Sequence, residues 1–506
     1  MIELPETPLT PLVLRHAQRL GPKPALVEAG SGRAVAYGEL PGEIAAAAGG
    51  LARAGHAPGE VVGVVLPNVP EFAVVFHGTL ERGGVVTPVN PALTQAEMAK
   101  QLADARARYV ITSAELAPAV TEAAGDARVM VVGTPELRGP AVKPEPAAPA
   151  DLAALPYSSG TTGFPKGVML THRNLTANIV QVEGVFKCDE DDVLLAVLPY
   201  FHIYGLTVNM NFALARGATV VTMQRFDLQG FLEAIETHRV TRAFLVPPIL
   251  LALAKHPLVD RHDLSSLDLI VSGAAPLDPG IAAAVAERLG CRVIQGYGLT
   301  ETSPVTHLPP EGPGVEAKPG SVGPPLPGTE CRAVDIESGE PLGVGADGEI
   351  VIRGPQVMRG YLRDAAATAA AIDADGWFHT GDIGHVDADG WLFVVDRLKE
   401  LIKVRGLQVA PAELEAVLQA HPAVADAAVV PSPDRHGGEV PKAFVVLRHE
   451  VELDDLRAYV GDRVARHKRI RRIEAVDAIP RSPSGKILRR VLVQQEREAA
   501  ASGSGR

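Results

Sequence analysis

Short valine-rich runs alternate with helical patterns along much of this chain, and that alternation most constrains its fold. Val61–Leu66, Val85–Pro88, Tyr109–Thr112 and Val129–Val132 read as strands, with helices over Val69–Arg82 and from Thr94 between them. The pattern resumes at Val193–Leu198, Ala218–Met223, Ala243–Val246 and Leu269–Ser272, with helices over Asp227–His238 and Pro279–Leu289. Strand–helix–strand repetition implies parallel sheets, because a parallel neighbour needs a crossover that carries a helix back over the sheet. Ligands in such folds gather at the carboxyl ends of the strands, so chemistry is expected just after the apolar runs.

Beyond Lys318 the texture changes. Gly and Pro crowd in, helical patterns vanish, and Glu349–Arg353 reads as a strand of a small antiparallel unit. The run Ala365–Ala371, broken only by Thr368, reads as compositional bias. From Leu401 a compact mixed segment begins, with a helix near Ala412–Ala420 and strands at Ala427–Val430 and Ala443–Leu447. At 506 residues the chain exceeds one ordinary core, so at least two domains are expected. The fold class is α/β, with parallel-type sheets flanked by helices, a small β unit, and a small α+β C-terminal domain.

Composition excludes several functions. A formal charge of −12 disfavours a nucleic-acid partner. Cys188, Cys291 and Cys331 are scattered and form no CxxC pair, which argues against a cysteine-based zinc site and fits a reducing compartment. The start, Met1-Ile-Glu-Leu-Pro5, lacks the basic and apolar regions of a signal peptide. No apolar run approaches the ~18 residues of a membrane span. The expectation is a soluble, cytoplasmic protein without an integral membrane segment.

The stretch Tyr157-Ser-Ser-Gly-Thr-Thr-Gly-Phe-Pro-Lys-Gly167 lies between an apolar run and an expected helix. Its glycines, Gly160 among them, let the backbone approach a phosphate closely. Ser158, Ser159, Thr161 and Thr162 add hydroxyl donors, and Lys166 adds a fixed positive charge. It is not the Walker pattern, which ends Gly-Lys-Ser/Thr where this chain has Pro165-Lys166-Gly167. A plain Ser/Gly linker would need neither that Pro nor that Lys. Gln295-Gly-Tyr-Gly-Leu-Thr-Glu301, after an expected strand at Arg292–Ile294, offers a flat ring and oxygen ligands that suit a hard cation. Thr380-Gly-Asp382 presents a carboxylate with two acceptor oxygens, suited to paired hydroxyls. Pro480-Arg-Ser-Pro-Ser-Gly-Lys486 sets a lysine on a glycine turn before an expected helix.

Ser158–Gly167 resembles the nucleotide loop of the AMP-forming acyl-CoA synthetases, the adenylate-forming family that includes 4-coumarate–CoA ligases, fatty-acyl-CoA synthetases and beetle luciferases. The later motifs follow in that family's order and cover nearly the whole chain. The resemblance implies ATP, Mg²⁺ and coenzyme A. It also implies a large N-terminal domain, 1–396, hinged near Lys399 at Asp396-Arg-Leu-Lys399 to a mobile C-terminal domain, 397–506. Within Gln295-Gly296-Tyr297, Tyr297 would stack on adenine; Thr300 would contact the α-phosphate and Glu301 would hold Mg²⁺. Asp382 and Arg397 would clamp the ribose, and Arg225 joins the nucleotide-binding set. Lys403 and Gln408 would lie near the adenylate, and Arg405 and Gly406 near coenzyme A, although a charged run such as Lys399–Lys403 is otherwise a solvated helix face. Lys486 would contact the acyl carboxylate and α-phosphate, where developing charge most rewards a fixed cation. The same pattern resembles sites of regulatory lysine acetylation, which would make an acetyltransferase acting on Lys486 a partner.

For the acyl group the resemblance points to Pro199-Tyr-Phe-His-Ile-Tyr-Gly205, with His202 and Tyr204 beside the substrate. Val271, Gly273, Ala274, Gly296, Pro304 and Val305 would form other walls. Val208 stands where some coumarate ligases carry a small polar residue, which favours cinnamate or another less polar acid over 4-coumarate. Wording such as Leu401-Ile-Lys403 and Gln408-Val-Ala-Pro-Ala-Glu413 is closest to the 4-coumarate–CoA ligases. A fatty-acyl-CoA synthetase is the main alternative. A carrier-loading amino-acid adenylation enzyme would want an acyl-pocket Asp, which Phe201–Tyr204 lacks. A degenerate binding relative would not need Lys166, Glu301, Asp382, Arg397 and Lys486 intact.

Overall fold

The strand–helix alternation builds two large sheets in the computed structural model, which describes residues 3–158, 165–312, 314–404, 407–433, 439–482 and 485–503. In the first sheet Leu152–Ala154, Val85–Pro88, Val61–Val65, Ala107–Thr112 and Arg128–Val131 run parallel in that spatial order. Lys166–Thr171 and Gly360–Tyr361 extend it antiparallel at one end. The second sheet runs Arg292–Gln295, Leu269–Ser272, Arg242–Leu245, Val193–Ala196, Thr219–Thr222 and Pro24–Glu28, all parallel, with Ala34–Ala36 antiparallel at its edge. Valines and isoleucines fill these strands because both faces are covered by helices. One contiguous apolar core, from Leu9 to Phe378, serves both sheets.

Glu330–Val334, Gly348–Arg353, Phe378–Val386 and Leu392–Arg397 form the small antiparallel unit, with its own apolar cluster. From Ile402 the chain has a separate core around Ile402, Leu414, Leu418, Val445 and Leu456. It is built from the hairpin Ile402–Val404/Leu407–Val409, the sheet Val424–Pro433, Glu439–Leu447 and Arg472–Ala475, and helices Pro411–Ala420 and Leu453–Gly461. The last helix, Arg489–Gly503, docks by packing Leu492 against Ala428, Val430 and Phe444 and by charge: buried Glu496 accepts from Ser432 Oγ at 2.7 Å and pairs with Lys442 and Arg472. No helix among the described residues is long and apolar enough to cross a membrane.

Three local expectations are corrected. The glycine-rich loop does not lead straight into a helix: Tyr157–Ser158 and Lys166–Thr171 pair as an antiparallel hairpin. The helix starts only at His172, where Thr171 and Asn174 cap each other reciprocally. Ala365–Ala371 is a helix, not mere bias, since alanine is the strongest helix former and Asp364 accepts from the Ala367 N–H at 2.9 Å. The run after Lys399 is a strand, Ile402–Val404, not a helix face.

The Pro199–Gly205 motif enters a π-helix over Gly205–Phe212. Only glycine fits its first residue, because a Cβ on Gly205 would lie 2.3 Å from Pro199 O and 2.6 Å from Leu198 O. Gly205→Ala is therefore expected to cost about 1–3 kcal/mol, read as a lower denaturant midpoint with an unchanged slope.

Candidate active site

One cavity of about 630 Å³ opens where strands of both large sheets end. Residues just beyond Leu269–Ser272, Arg292–Gln295, Val85–Pro88 and Leu152–Ala154 reach it, as do Lys399 and Lys486 from the C-terminal part. All nine residues expected at the acyl group line it: His202, Tyr204, Val208, Val271, Gly273, Ala274, Gly296, Pro304 and Val305.

The acyl-side lobe is apolar. Val182, Ile203, Phe244 and Leu308 complete its wall. Tyr204 spends its hydroxyl on Val271 O at 3.4 Å, and Gly273 gives its ring room, since a Cβ there would stand 2.8 Å from Tyr204 Cε1. Tyr204 meets Phe244 edge-on at 6.2 Å, Phe244 meets Phe186 at 5.5 Å, and the Arg242 guanidinium covers Phe186 at 5.1 Å. Arg242 is buried between Asp192 and Glu311, each 3.0 Å away. His202 Nδ1 accepts the Tyr204 N–H at 3.3 Å. Burial first, and the Lys486 charge second, push its imidazole down to about 4, so it is neutral near pH 7.

The opposite lobe is polar. Tyr297 Oη donates to Asp382 Oδ2 at 2.6 Å, and Arg397 Nε lies 2.9 Å from Asp382 Oδ1. Asp382 is 3% exposed, and its own N–H donates to Thr380 Oγ1 at 3.0 Å. Burial and then the Asp382 charge hold the Tyr297 phenol well above its ordinary range. Glu349 Oε1 accepts the Gly381 N–H at 3.1 Å while Oε2 meets His379 Nδ1 at 2.9 Å, fixing the Thr380–Asp382 turn. Gln295 braces a neighbouring loop by accepting the Leu277 N–H at 3.0 Å.

Thr300, Glu301, Ser158 and Lys166 line the same lobe. Glu301 is 8% exposed, and its Oε1 accepts from Tyr361 Oη at 2.9 Å. No group of three His, Cys, Asp or Glu placed to hold a metal occurs among the described residues. One carboxylate beside hydroxyls is instead the donor set that Mg²⁺ uses when phosphates and water supply the rest.

Lys486 sits in a turn closed by Ser482 N–H to Lys486 O and Gly485 N–H to Ser482 O, both 2.8 Å. Gly485 has φ +78°, and a Cβ on it would lie 3.0 Å from Val246 Cγ2, so this glycine lets the turn press against the large core. Burial, then repulsion from Arg397, pushes the Lys486 ammonium down to about 8, with Glu400 and Asp382 opposing.

Other expected residues lie elsewhere. Lys403 is exposed on its strand, where its N–H donates to Glu439 Oε2 at 3.0 Å, and Arg225 is exposed away from the cavity. Ser159, Gly160, Thr161, Thr162, Arg405 and Gly406 lie outside the described residues; of Gln408 only the backbone, in Leu407–Val409, is described. Sequence reasoning missed Tyr361, Glu349, His379 and Phe244. Glu349 stood in a recognised strand and His379 beside Thr380-Gly-Asp382, so position could have raised both; Tyr361 and Phe244 carry no local signal. Asp382→Asn is expected to lower stability by about 1–3 kcal/mol, because the buried Tyr297 and Arg397 donors lose a charged acceptor; chemical denaturation reads this directly.

Comparisons with known proteins agree with this geometry. The family profile described as AMP-binding enzyme matches residues 13–362, and that of the AMP-binding enzyme C-terminal domain matches 413–486. A 4-coumarate–CoA ligase of Pinus taeda is 42% identical over 509 aligned residues, covering 96% of this chain and 94% of the relative. Among solved structures, the anthranilate CoA ligase AuaEII in complex with anthranoyl-AMP superposes with a TM-score of 0.91 at 27% identity, covering 99% of both chains. ATP-bound MatB from Rhodopseudomonas palustris gives 0.89 at 29% identity, covering 96% of this chain and 98% of that one. A chain matched over most of its length by the family profiles and by a whole-length relative belongs to the AMP-binding enzymes, and it is an AMP-forming acyl-CoA ligase.

Proposed function

We propose that this ligase activates cinnamate-type acids in two half-reactions within the cavity described above. The substrate carboxylate attacks the α-phosphorus of ATP, forming acyl-AMP and releasing pyrophosphate. The thiol of coenzyme A then attacks the acyl carbonyl, loses its proton, forms the thioester and expels AMP. The observation that carries the reading is the meeting of two unlike lobes: an apolar one walled by Val208, Val271 and Phe244, and a polar one bearing Asp382, Arg397, Glu301, Lys166 and Lys486.

Each residue has a role its chemistry suits. Tyr297 stacks on adenine, and Asp382 with Arg397 receives the ribose hydroxyls. Lys166 and Thr300 attend the phosphates. Glu301 would hold Mg²⁺ arriving with the triphosphate, an ion that neutralises phosphate charge when bound. Lys486 stabilises charge at the α-phosphate as the mixed anhydride forms. For the second half-reaction, residues 397–506 turn about Lys399 relative to 1–396, and Lys403, Gln408, Arg405 and Gly406 then approach the adenylate and coenzyme A. The separate core that begins at Ile402 supports a unit able to move as a body.

Substrate choice follows from the apolar lobe. Val208 is 2% exposed and offers no partner to a ring hydroxyl, while the Tyr204 hydroxyl is engaged by Val271 O. The 4-coumarate–CoA ligases among the relatives support a phenylpropenoic acid, and the lining favours cinnamate over 4-coumarate. Purified protein with Mg·ATP, coenzyme A and cinnamate, 4-coumarate, benzoate, octanoate or palmitate is expected to give cinnamoyl-CoA with the highest kcat/KM. Preference for octanoate or palmitate would reject the substrate reading and leave the chemistry standing.

Lys486→Ala is expected to slow adenylation by about 10²–10³-fold, read as acid-dependent pyrophosphate release. The Lys486 charge is present below its pKa and lost above it. Adenylation by the wild type should therefore fall as pH rises through about 8, and the residual rate of Lys486→Ala should lack that limb.

A further inference from the structure

Gly360–Tyr361 is a two-residue strand that touches both charged groups of the phosphate-facing wall. Its backbone pairs with Lys166–Thr171, placing Gly360 opposite Met169 and Tyr361 opposite Val168. Arg359 N–H to Met169 O at 3.0 Å and Leu362 N–H to Gly167 O at 2.8 Å close that pairing. Just before it, the Met358 N–H donates to Glu301 O at 2.8 Å. One short segment is thus bonded to the strand that carries Lys166 and to Glu301 itself.

The Tyr361 side chain repeats the connection. Its hydroxyl donates to Glu301 Oε1 at 2.9 Å, while the Lys166 ammonium lies over its ring, 4.9 Å from the centroid. Lys166 Nζ also stands 3.8 Å from Asp364 Oδ2, the cap of Ala365–Ala371. Lysine is a point charge on a flexible stem, and the Lys166 side chain is 40% exposed, so its place is not fixed by burial. An aromatic face holds an ammonium without cancelling its charge, as a second carboxylate would. A hydroxyl donated to one carboxylate oxygen stops the carboxylate from rotating and leaves the other oxygen for a cation.

We propose that Tyr361 is a positioning residue that sets the spacing between the Lys166 ammonium and the Glu301 carboxylate, so that a triphosphate and its divalent cation are received together. The inference rests on the assignment of Lys166 to phosphate and Glu301 to Mg²⁺ made above. Tyr361 acts through those two side chains and needs no contact with the reacting atoms.

Two variants separate its two contacts. Tyr361→Phe keeps the ring and removes the hydroxyl; Tyr361→Leu removes both. Binding of ATP and of AMP to the full chain is measured by calorimetry across a Mg²⁺ titration. In Tyr361→Phe the Mg²⁺ concentration for half-maximal enhancement of ATP binding is expected to rise about 10-fold, the size of one hydrogen bond to a charged group. Metal-free ATP binding and AMP binding should stay at wild-type values. Tyr361→Leu should in addition weaken metal-free ATP binding about 2- to 5-fold, the size of one cation–π contact, with AMP binding again unchanged.

A wild-type Mg²⁺ requirement in Tyr361→Phe overturns the proposal. So does a loss of AMP binding that matches the loss for ATP, which would mark general damage to the site. Wild-type protein whose ATP binding ignores Mg²⁺ would instead overturn the assignment of Glu301, and the proposal with it, before any substitution is made.

Discussion

A carboxylate taken out of water is costly unless it is paired and hydrogen-bonded, and Asp382 meets that condition with partners from two other segments. The Tyr297 hydroxyl comes from the turn after the second large sheet. The Arg397 guanidinium comes from the last strand before the C-terminal core, and Thr380 supports the Asp382 backbone. Were any of the three displaced, a buried charge or donor would be left unmatched. Asp382 therefore ties the turn after the large sheet to the small β unit, adding to the backbone pairing of Phe378–Val386 with Leu392–Arg397. Arg397, so fixed, repels Lys486 across the polar lobe.

The apolar lobe rests on a different kind of support. Its wall of Tyr204 and Phe244 stands on Phe186, and Phe186 on the buried, doubly paired Arg242. A buried guanidinium with two carboxylates contributes little net stability but resists rearrangement, because moving it would strand a charge. The pocket wall is thereby backed by a layer that cannot yield cheaply to a larger acid.

Much of this was legible in the sequence, for physical reasons. Parallel strands buried on both faces read as valine and isoleucine runs, so the two sheets were visible before their order was. Motif residues such as Tyr297, Glu301 and Asp382 sit within a few positions of glycines that allow sharp turns, and those turns announce themselves locally. What escaped was whatever depends on distant partners. Tyr361 finds Glu301 and Lys166 only after a short strand adds to a sheet edge, and Phe244 lines the pocket only because Tyr204 arrives from another turn. The misjudged Ala365–Ala371 shows the opposite failure: local propensity was strong, but an alanine run without an apolar stripe gave no periodicity to read.

The π-helix of Gly205–Phe212 has an evolutionary consequence. Its i→i+5 bonding makes a wider turn than an α-helix, and of its residues only Val208 reaches the acyl lobe. Losing one residue within it would let the segment relax to α geometry while the side chains after it keep their facing, because the wide turn already absorbs the extra residue. A single codon deletion there would thus reset the wall at Val208 and leave Val271, Phe244 and Val305, which stand on other segments, in place.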